Sequence, residues 1–314
     1  MRAMALTEFG QPLQLHDLPM PVAGAGEVLV RVAKAALNPA DLKVIRGGFD
    51  GRILHARRRP LVPGYDFAGV VEAVGAGATL EVGSPVFGHL AYASSNAQGS
   101  LGEYLTASVE AIATREWVAS EAGAGVATAG STALQALRDL GHLQPGMRAW
   151  INGASGGVGS LAVQIAKCLG AEVWASCSAS KATFVTGLGA DQVIDYRTTP
   201  LPEGTFDVIF DAAAMLSFSK CSSRLAKRGT YVTTIPSGAF VAGKLLALFS
   251  SKSNRFVVVK SRRADLEQLA VWLAEGRLWV PIDSTFELEA ANEGLARLAS
   301  GEVRGKVVVA VGPD

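Results

Sequence analysis

In the N-terminal third of the chain, apolar and polar residues alternate in short segments. Residues 28–37 (VLVRVAKAAL) alternate apolar and basic side chains, the pattern of a half-buried strand. Residues 67–75 and 84–90 are two further apolar segments, each bounded by Gly or Pro. Short strands at close spacing predict a small β-barrel or sandwich.

A second pattern begins after an Ala-rich stretch at residues 119–140, which predicts one or two helices. Apolar segments typical of strands then alternate with helical segments, and the first helix is predicted over 159–170. This βαβαβ order predicts a parallel sheet with helices on both faces. Two amphipathic helices, at 264–278 and 287–301, precede a final predicted strand, KVVVAV.

Composition narrows the class of protein. A length of 314 residues suggests about two domains, and 49% hydrophobic against 18% charged residues excludes a disordered chain. Because the net charge is only +1, we expect no nucleic-acid partner. Three scattered cysteines and the lack of an apolar segment of about 20 residues predict a cytoplasmic protein without disulfides or a transmembrane segment.

The glycine-rich segment NGASGGVGS (152–160) carries the strongest chemical signal. It lies between a predicted strand and a predicted helix, where missing side chains allow a pyrophosphate to approach the helix N-terminus. We therefore predict a dinucleotide site, whereas the alternative is a turn that binds nothing. The predicted cofactor-binding residues of this turn are Gly153, Ala154, Ser155, Gly156, Gly157, Val158 and Gly159.

The end of the next predicted strand (172–177) distinguishes the two nicotinamide cofactors. An NAD site usually has an acidic residue here for the ribose 2′-OH, but this chain has SCSASK. Ser178 and Lys181 can instead donate hydrogen bonds to a 2′-phosphate, so the sequence favours NADPH. The alternative is a polar helix cap followed by an ordinary surface lysine.

Several motifs, in order along nearly the whole chain, together resemble one family. They include ALNPADLK (36–43), PGYDFAGVVEAVG (63–75), TAGSTALQAL (128–137), LGADQVIDYR (188–197) and RGKVVV (304–309). The chain resembles the zinc-independent medium-chain dehydrogenases/reductases, in the quinone oxidoreductase (zeta-crystallin-like) branch.

The resemblance implies an α/β fold with a GroES-like β-barrel domain (1–118 and 262–314) and a Rossmann doubly wound parallel-sheet domain (119–261). It also implies that Ser178, Lys181 and Tyr196 contact the 2′-phosphate side of NADPH, that Asn38 and Thr132 lie near the nicotinamide, and that Lys306 contributes to cofactor binding. For Tyr196 the alternative is an aromatic packed on the sheet. A homodimer through the edge of the Rossmann sheet is expected, with residues 229–240 as the edge segment.

Zinc-dependent members of this superfamily need Cys and His ligands at fixed motif positions. Here Asn38 replaces the first catalytic Cys and Tyr65 replaces the His, so we expect no metal. The four histidines show no ligand spacing and are expected on the surface or in loops.

Without a Lewis acid, hydride transfer suits acceptors that delocalise the resulting anion, such as quinones and enones. Asn38 and Tyr65 are therefore the candidate catalytic hydrogen-bond donors, although turn chemistry for Asn38 and packing for Tyr65 are alternatives.

The sequence thus predicts an NADPH-dependent, metal-free reductase of small-molecule quinones or α,β-unsaturated carbonyls. An enoyl-thioester reductase and a non-catalytic NADPH-binding protein of the zeta-crystallin type remain as alternatives. The basic segment 56–59 is either a solvated loop or a contact for an anionic substrate or membrane surface.

Overall fold

In the computed structural model, which describes residues 1–48, 59–93, 98–114 and 116–313, the chain separates into two units. The first unit comprises residues 1–128, 260–275 and 282–314, and the second comprises 129–259 and 276–281. The basic segment at 56–58 lies outside the described residues.

Strands and helices are numbered here in chain order. The strands are β1 (Arg2–Ala5), β2 (Gln14–Asp17), β3 (Glu27–Ala36), β4 (Asp66–Val74), β5 (Pro85–His89), β6 (Tyr104–Ser108), β7 (Ile112–Thr114), β8 (Arg148–Asn152), β9 (Glu172–Cys177), β10 (Gln192–Asp195), β11 (Phe206–Asp211), β12 (Leu225–Thr233), β13 (Ser253–Phe256), β14 (Ile282–Glu287) and β15 (Lys306–Ala310). The α-helices are α1 (Pro39–Arg46), α2 (Ser120–Leu134), α3 (Gly157–Cys168), α4 (Ala182–Gly187), α5 (Phe218–Cys221), α6 (Gly238–Leu248), α7 (Arg263–Ala274) and α8 (Ala291–Ala299).

The first unit is built on a seven-stranded sheet in the order β14-β15-β3-β4-β5-β7, with β6 also paired to β3. Its central strand, β3, pairs with β4, β6 and β15, so most of its side chains are buried and only Glu27, Arg31 and Lys34 are half-buried. The prediction of a half-buried strand was therefore wrong in degree, because seven of the ten residues of β3 are buried. The C-terminal strand β15 returns to this sheet, as the GroES-like fold implied.

The second unit is a six-stranded sheet in the order β10-β9-β8-β11-β12-β13, and every neighbouring pair is parallel. This is the doubly wound Rossmann order, in which the chain reverses its direction of winding between β8 and β11. Ligands of such sheets bind at the carboxyl ends of the strands beside that point.

Two further expectations are wrong in detail. Residues 229–240 do not form the sheet edge, because β12 has a strand on each side and β13 is the edge strand. His89 is not on the surface but is 1% exposed at the end of β5, where its Nδ1 lies 3.0 Å from the hydroxyl of Ser261. Burial lowers the pKa of His89.

Candidate functional site

The glycine-rich turn joins β8 to α3 at the carboxyl edge of the second unit's sheet. The backbone N–H groups of Gly153 and Ala154 donate to the carbonyl of Ser176, at 3.2 and 3.0 Å. Gly156 is the N-cap of α3, so the first turn of that helix follows it directly. The N-terminal N–H groups of a helix lack intrahelical partners and attract anionic groups.

Two of the three regularly spaced glycines cannot be replaced by another residue without backbone strain or a steric clash. Gly153 has a φ of 79°, in the left-handed region that favours glycine, and a Cβ on Gly159 would lie 2.1 Å from the carbonyl oxygen of Gly153. Gly156 differs, because its Cβ would meet only that same oxygen, at 3.7 Å. The fold therefore needs glycine at 153 and 159, while the space at Gly156 is left open.

Residues at the ends of β9 and β10 come together because these strands are neighbours, with Cys177 opposite Asp195. Ser178 and Lys181 follow β9, and Tyr196 follows β10 with its N–H bonded to the carbonyl of Cys177. Lys181 is 7% exposed, so it is not an ordinary surface lysine. Tyr196 is 45% exposed, which disfavours the alternative in which its ring packs on the sheet.

A buried polar network beside the glycine turn was missed by the sequence analysis. Asp211, at the end of β11, accepts hydrogen bonds from Nδ2 of Asn152 at 2.8 Å and from the hydroxyl of Tyr231 at 2.9 Å. It also accepts the backbone N–H of Leu216 at 2.7 Å. Asp211 thereby holds the ends of three neighbouring strands, β8, β11 and β12. The acidic residue at position 211, directly after the apolar residues of the segment FDVIFD (206–211), was the available signal.

In the first unit, Asn38 lies in a second buried network. Its Nδ2 donates to Oδ2 of Asp66 at 2.9 Å and to the carbonyl of Ala36 at 3.3 Å, and its Oδ1 accepts from Nζ of Lys306 at 2.7 Å. Lys306 also forms a salt bridge with Asp66 at 3.1 Å. Asp66 accepts the N–H of Thr128 as well, at 2.9 Å. The role of Asp66 was missed, because nothing local in its strand marks it as a polar centre.

Two more acidic or phenolic groups are buried close to Asn38. Asp41 accepts the backbone N–H of Asn38 at 2.7 Å, and burial raises the pKa of its carboxyl group to about 7. Tyr65 is fully buried, and its ring lies edge-to-face against Tyr92 with 4.5 Å between centroids. Burial, with Asp41 nearby, raises the pKa of Tyr65. This geometry favours the packing alternative for Tyr65, and its catalytic role stays a prediction.

The predicted site residues thus form two groups, one in each unit. Asn38, Tyr65 and Lys306 belong to the first unit, and the glycine turn, Thr132, Ser178, Lys181 and Tyr196 belong to the second. The second group fits a dinucleotide, because it combines a glycine turn with open space at a helix N-terminus and a buried lysine that follows the neighbouring strand β9. Within residues 1–48, 59–93, 98–114 and 116–313, no group of three or more His, Cys, Asp or Glu residues could hold a metal ion.

Comparisons with known proteins agree with this architecture. Residues 24–127 match the alcohol dehydrogenase GroES-like domain, and residues 188–309 match the zinc-binding dehydrogenase domain. A chloroplast quinone oxidoreductase of Triphysaria versicolor is 32% identical, and the match covers 98% of each chain. A trans-enoyl reductase of Aspergillus terreus is 30% identical over 94% of this chain and 90% of its own. The structure of the quinone oxidoreductase from Coxiella burnetii superposes with a TM-score of 0.89, at 28% identity and 99% coverage of both chains.

Proposed function

The chain belongs to the quinone oxidoreductase family of the medium-chain dehydrogenases/reductases, a family of nicotinamide-dependent oxidoreductases, and we propose that it is an NADPH-dependent reductase of quinones or α,β-unsaturated carbonyls. The proposal rests on the glycine turn 153–159, which leaves open space at Gly156, and on the neighbouring strand β9, which ends at Cys177 without a carboxylate. Buried Lys181 supplies a cation at that point instead.

The residues that would hold the cofactor follow from the second unit's geometry. Gly156 leaves room for a pyrophosphate at the N-terminus of α3, whose N–H groups would bind it. Lys181 and Ser178 would donate to the 2′-phosphate, and exposed Tyr196 would cover the adenosine side. A 2′-OH offers no charge to Lys181, so this arrangement favours NADPH over NADH.

When bound, the nicotinamide supplies a hydride to the electron-poor carbon of a conjugated acceptor. The protein then has to bind the acceptor, exclude water and offer hydrogen bonds to an anion whose charge is already delocalised. We propose that Asn38 gives one such bond. Its 3.3 Å bond to the carbonyl of Ala36 is the longest of its side-chain bonds, so this hydrogen is the one most easily donated to a substrate oxygen.

We propose that this chemistry needs no metal. Asn38 occupies the position of the first catalytic Cys in zinc-dependent relatives. Its side-chain oxygen accepts a hydrogen bond from Lys306, and its side-chain N–H group donates one to Asp66. Lys306 places a fixed positive charge within 2.7 Å of the Asn38 amide oxygen, which polarises that amide and strengthens its N–H donors.

A second candidate is reduction of an enoyl thioester, which the similarity to the Aspergillus terreus trans-enoyl reductase favours. Both reactions add a hydride to a conjugated system, so they differ in the acceptor and in the space it needs. A non-catalytic protein of the zeta-crystallin type would bind NADPH and reduce nothing.

One experiment separates these candidates. The protein is titrated in parallel with NADPH and with NADH while its tryptophan fluorescence is measured. Trp150 in β8 is buried close to the glycine turn, and its indole N–H donates to the hydroxyl of Ser176 at 2.7 Å. Its fluorescence should therefore report binding of the cofactor. A quinone, an enone and an enoyl thioester are then added, and the absorbance of the reduced nicotinamide is followed.

Tighter binding of NADPH than of NADH, with consumption by the quinone or the enone, is the expected result. Consumption by the thioester alone favours the second candidate, and binding without consumption favours the non-catalytic one. If neither cofactor binds, the glycine turn is structural and the proposal fails.

A further inference from the structure

Strand β11 is followed by a short loop, residues 212–216, that lies against the glycine turn; we call it the β11 loop. A Cβ on Gly153 would lie 2.7 Å from the Cβ of Ala213 and 3.1 Å from its backbone nitrogen. The N–H of Ala212 donates to the carbonyl of Asn152 at 3.1 Å, at the end of β8. Because winding reverses between β8 and β11, the β11 loop and the glycine turn flank the crevice where sheets of this kind bind ligands.

Asp211 holds the β11 loop through a fully buried carboxyl group whose two oxygens each accept two hydrogen bonds. Oδ1 accepts from Nδ2 of Asn152 at 2.8 Å and from the N–H of Met215 at 3.3 Å. Oδ2 accepts from the hydroxyl of Tyr231 at 2.9 Å and from the N–H of Leu216 at 2.7 Å. Four donors match the acceptor positions of an ionised carboxylate, whereas an amide has only one acceptor oxygen and would turn an NH₂ group toward two of the donors.

The backbone of the β11 loop is strained at Ala214. Its φ is 53°, in the left-handed region that alanine rarely adopts, and its N–H donates to the carbonyl of Asp211 at 3.3 Å. A residue stays in this region only where the surrounding contacts hold it, and such strain is concentrated in segments that bind ligands. The next residue, Met215, has a fixed backbone but a side chain that is 77% exposed. Asp211 thus fixes a conformation that the loop sequence alone does not favour.

We propose that Asp211 is a positioning residue for the nicotinamide half of the cofactor, an inference that rests on the proposed function. Each half of a doubly wound sheet binds one mononucleotide. The half formed by β8, β9 and β10 carries the glycine turn and Lys181, so it takes the adenosine half of NADPH. The nicotinamide half then lies at the ends of β11, β12 and β13, where the β11 loop forms the wall of the crevice and presents Met215.

The position of Asp211 at the boundary between the two halves makes its effect on binding selective. Loss of its carboxylate releases the β11 loop, which the adenosine half does not need. If Asp211 only joined strands, its loss would loosen the sheet at β8 as well, and the adenosine half would bind less tightly to the same extent. The two roles therefore differ in which part of the cofactor loses affinity.

The test is isothermal titration calorimetry of the full chain with NADPH, with NADH and with adenosine 2′,5′-bisphosphate, which is the adenosine half of NADPH without the nicotinamide. Asp211→Asn should weaken NADPH and NADH at least about tenfold each, and the bisphosphate less than about twofold, because it leaves buried loop donors unpaired. Tyr231→Phe removes one donor and keeps the carboxylate, so it should give the same pattern with a loss of about threefold.

Two variants serve as controls. Asp207→Asn makes the same chemical change at the opposite end of β11, where Asp207 accepts the N–H of Arg148 at 2.9 Å, so it should bind all three ligands like the wild type. Lys181→Ala should give the opposite pattern, in which NADPH and the bisphosphate lose affinity alike. Thermal unfolding checks that each variant is folded, and if Asp211→Asn does not fold, Tyr231→Phe decides by the same comparison.

The result that overturns this inference is an equal loss of affinity for NADPH and for the bisphosphate in the folded variants. Unchanged NADPH affinity in both Asp211→Asn and Tyr231→Phe would overturn it too. Either result leaves the proposed function intact, because the wild type still binds NADPH. A wild type that binds neither nicotinamide cofactor refutes the proposed function, and the inference about Asp211 fails with it.

Discussion

Nζ of Lys306 lies 2.7 Å from Oδ1 of Asn38, although 268 residues separate the two in the chain. The same ammonium group reaches Asp66 at 3.1 Å, and these three residues are each less than 10% exposed. Lys306 thus joins the C-terminal strand β15 to strand β4 and to the residue that precedes α1. The candidate donor Asn38 owes its orientation to a lysine and an aspartate that are both distant in sequence.

Lys306→Met should strongly destabilise the first unit. The substitution leaves the Asp66 carboxylate buried without its cation, and losing one partner of a buried ion pair typically costs about 3–5 kcal/mol. The measurement is urea unfolding of the full chain. The double variant Lys306→Met/Asp66→Asn is the control: it removes both charges, so it should be more stable than Lys306→Met alone. Additive losses in the double variant would show that the salt bridge is energetically unimportant.

Lys181→Ala should discriminate between the two nicotinamide cofactors. A charge-assisted hydrogen bond contributes about 1.5–3 kcal/mol, so the Kd for NADPH should rise about 10- to 150-fold, while the Kd for NADH changes little. Fluorescence titration measures both. Lys227→Ala is the control, because Lys227 is an exposed lysine of the same unit. An equal loss of affinity for both cofactors would contradict the 2′-phosphate assignment.

Gly156→Ala and Gly159→Ala should separate the two roles of the glycine turn. At Gly159 the new methyl would lie 2.1 Å from a carbonyl oxygen, so the variant should lose at least about 2 kcal/mol of stability together with cofactor binding. At Gly156 the nearest atom is 3.7 Å away, so stability should stay within about 1 kcal/mol of the wild type. The methyl at 156 would nevertheless occupy the cradle and weaken NADPH binding at least about tenfold.

Thermal unfolding and NADPH titration of both variants check this pair. Gly187→Ala is the control, because a Cβ there meets no atom within 4 Å and the residue is remote from the cradle in sequence. If Gly156→Ala binds NADPH like the wild type, a pyrophosphate does not lie against Gly156.

The extent to which the sequence predicted this structure depends on the range of the interactions involved. Strand β9 was predicted at residues 172–177 and is observed there, because a short apolar segment between a glycine and a polar cap is a local signal. The glycine turn was found for the same reason. Helix α6 was not predicted, because its apolar residues have no helical period that distinguishes a buried face from an exposed one.

The networks around Asp66 and Asp211 could not be predicted from local patterns. Asp66 owes its role to Lys306, which lies 240 residues away, and the burial of His89 depends on Ser261, 172 residues away. Such pairs exist only once β15 and the segment after β13 have returned to the first unit. Periodicity predicts which strands form, but it does not predict which polar side chains the finished sheet brings together.

The buried carboxyl group of Asp41 should give the stability of this protein an unusual dependence on pH. Its pKa is raised from 3.8 to about 7, with burial as the largest cause. Between these values the folded state holds a proton that the unfolded state has released. The free energy of unfolding therefore falls as pH rises from about 4 to about 7, and the total loss is on the order of 4 kcal/mol. Above about pH 7 both states have released the proton, so Asp41 causes no further loss.

Asp41→Asn isolates this contribution. The amide oxygen of the new side chain can still accept the backbone N–H of Asn38, which Asp41 accepts at 2.7 Å, but the side chain cannot ionise. The free energy of unfolding of both proteins is measured by urea denaturation at intervals from pH 4.5 to about 8. The difference in stability between Asp41→Asn and the wild type should grow in favour of the variant as pH rises to about 7, since only the wild type must then bury a carboxylate or retain a proton against the solvent pH. A difference that stays constant over this range would show that Asp41 titrates equally in the folded and unfolded states.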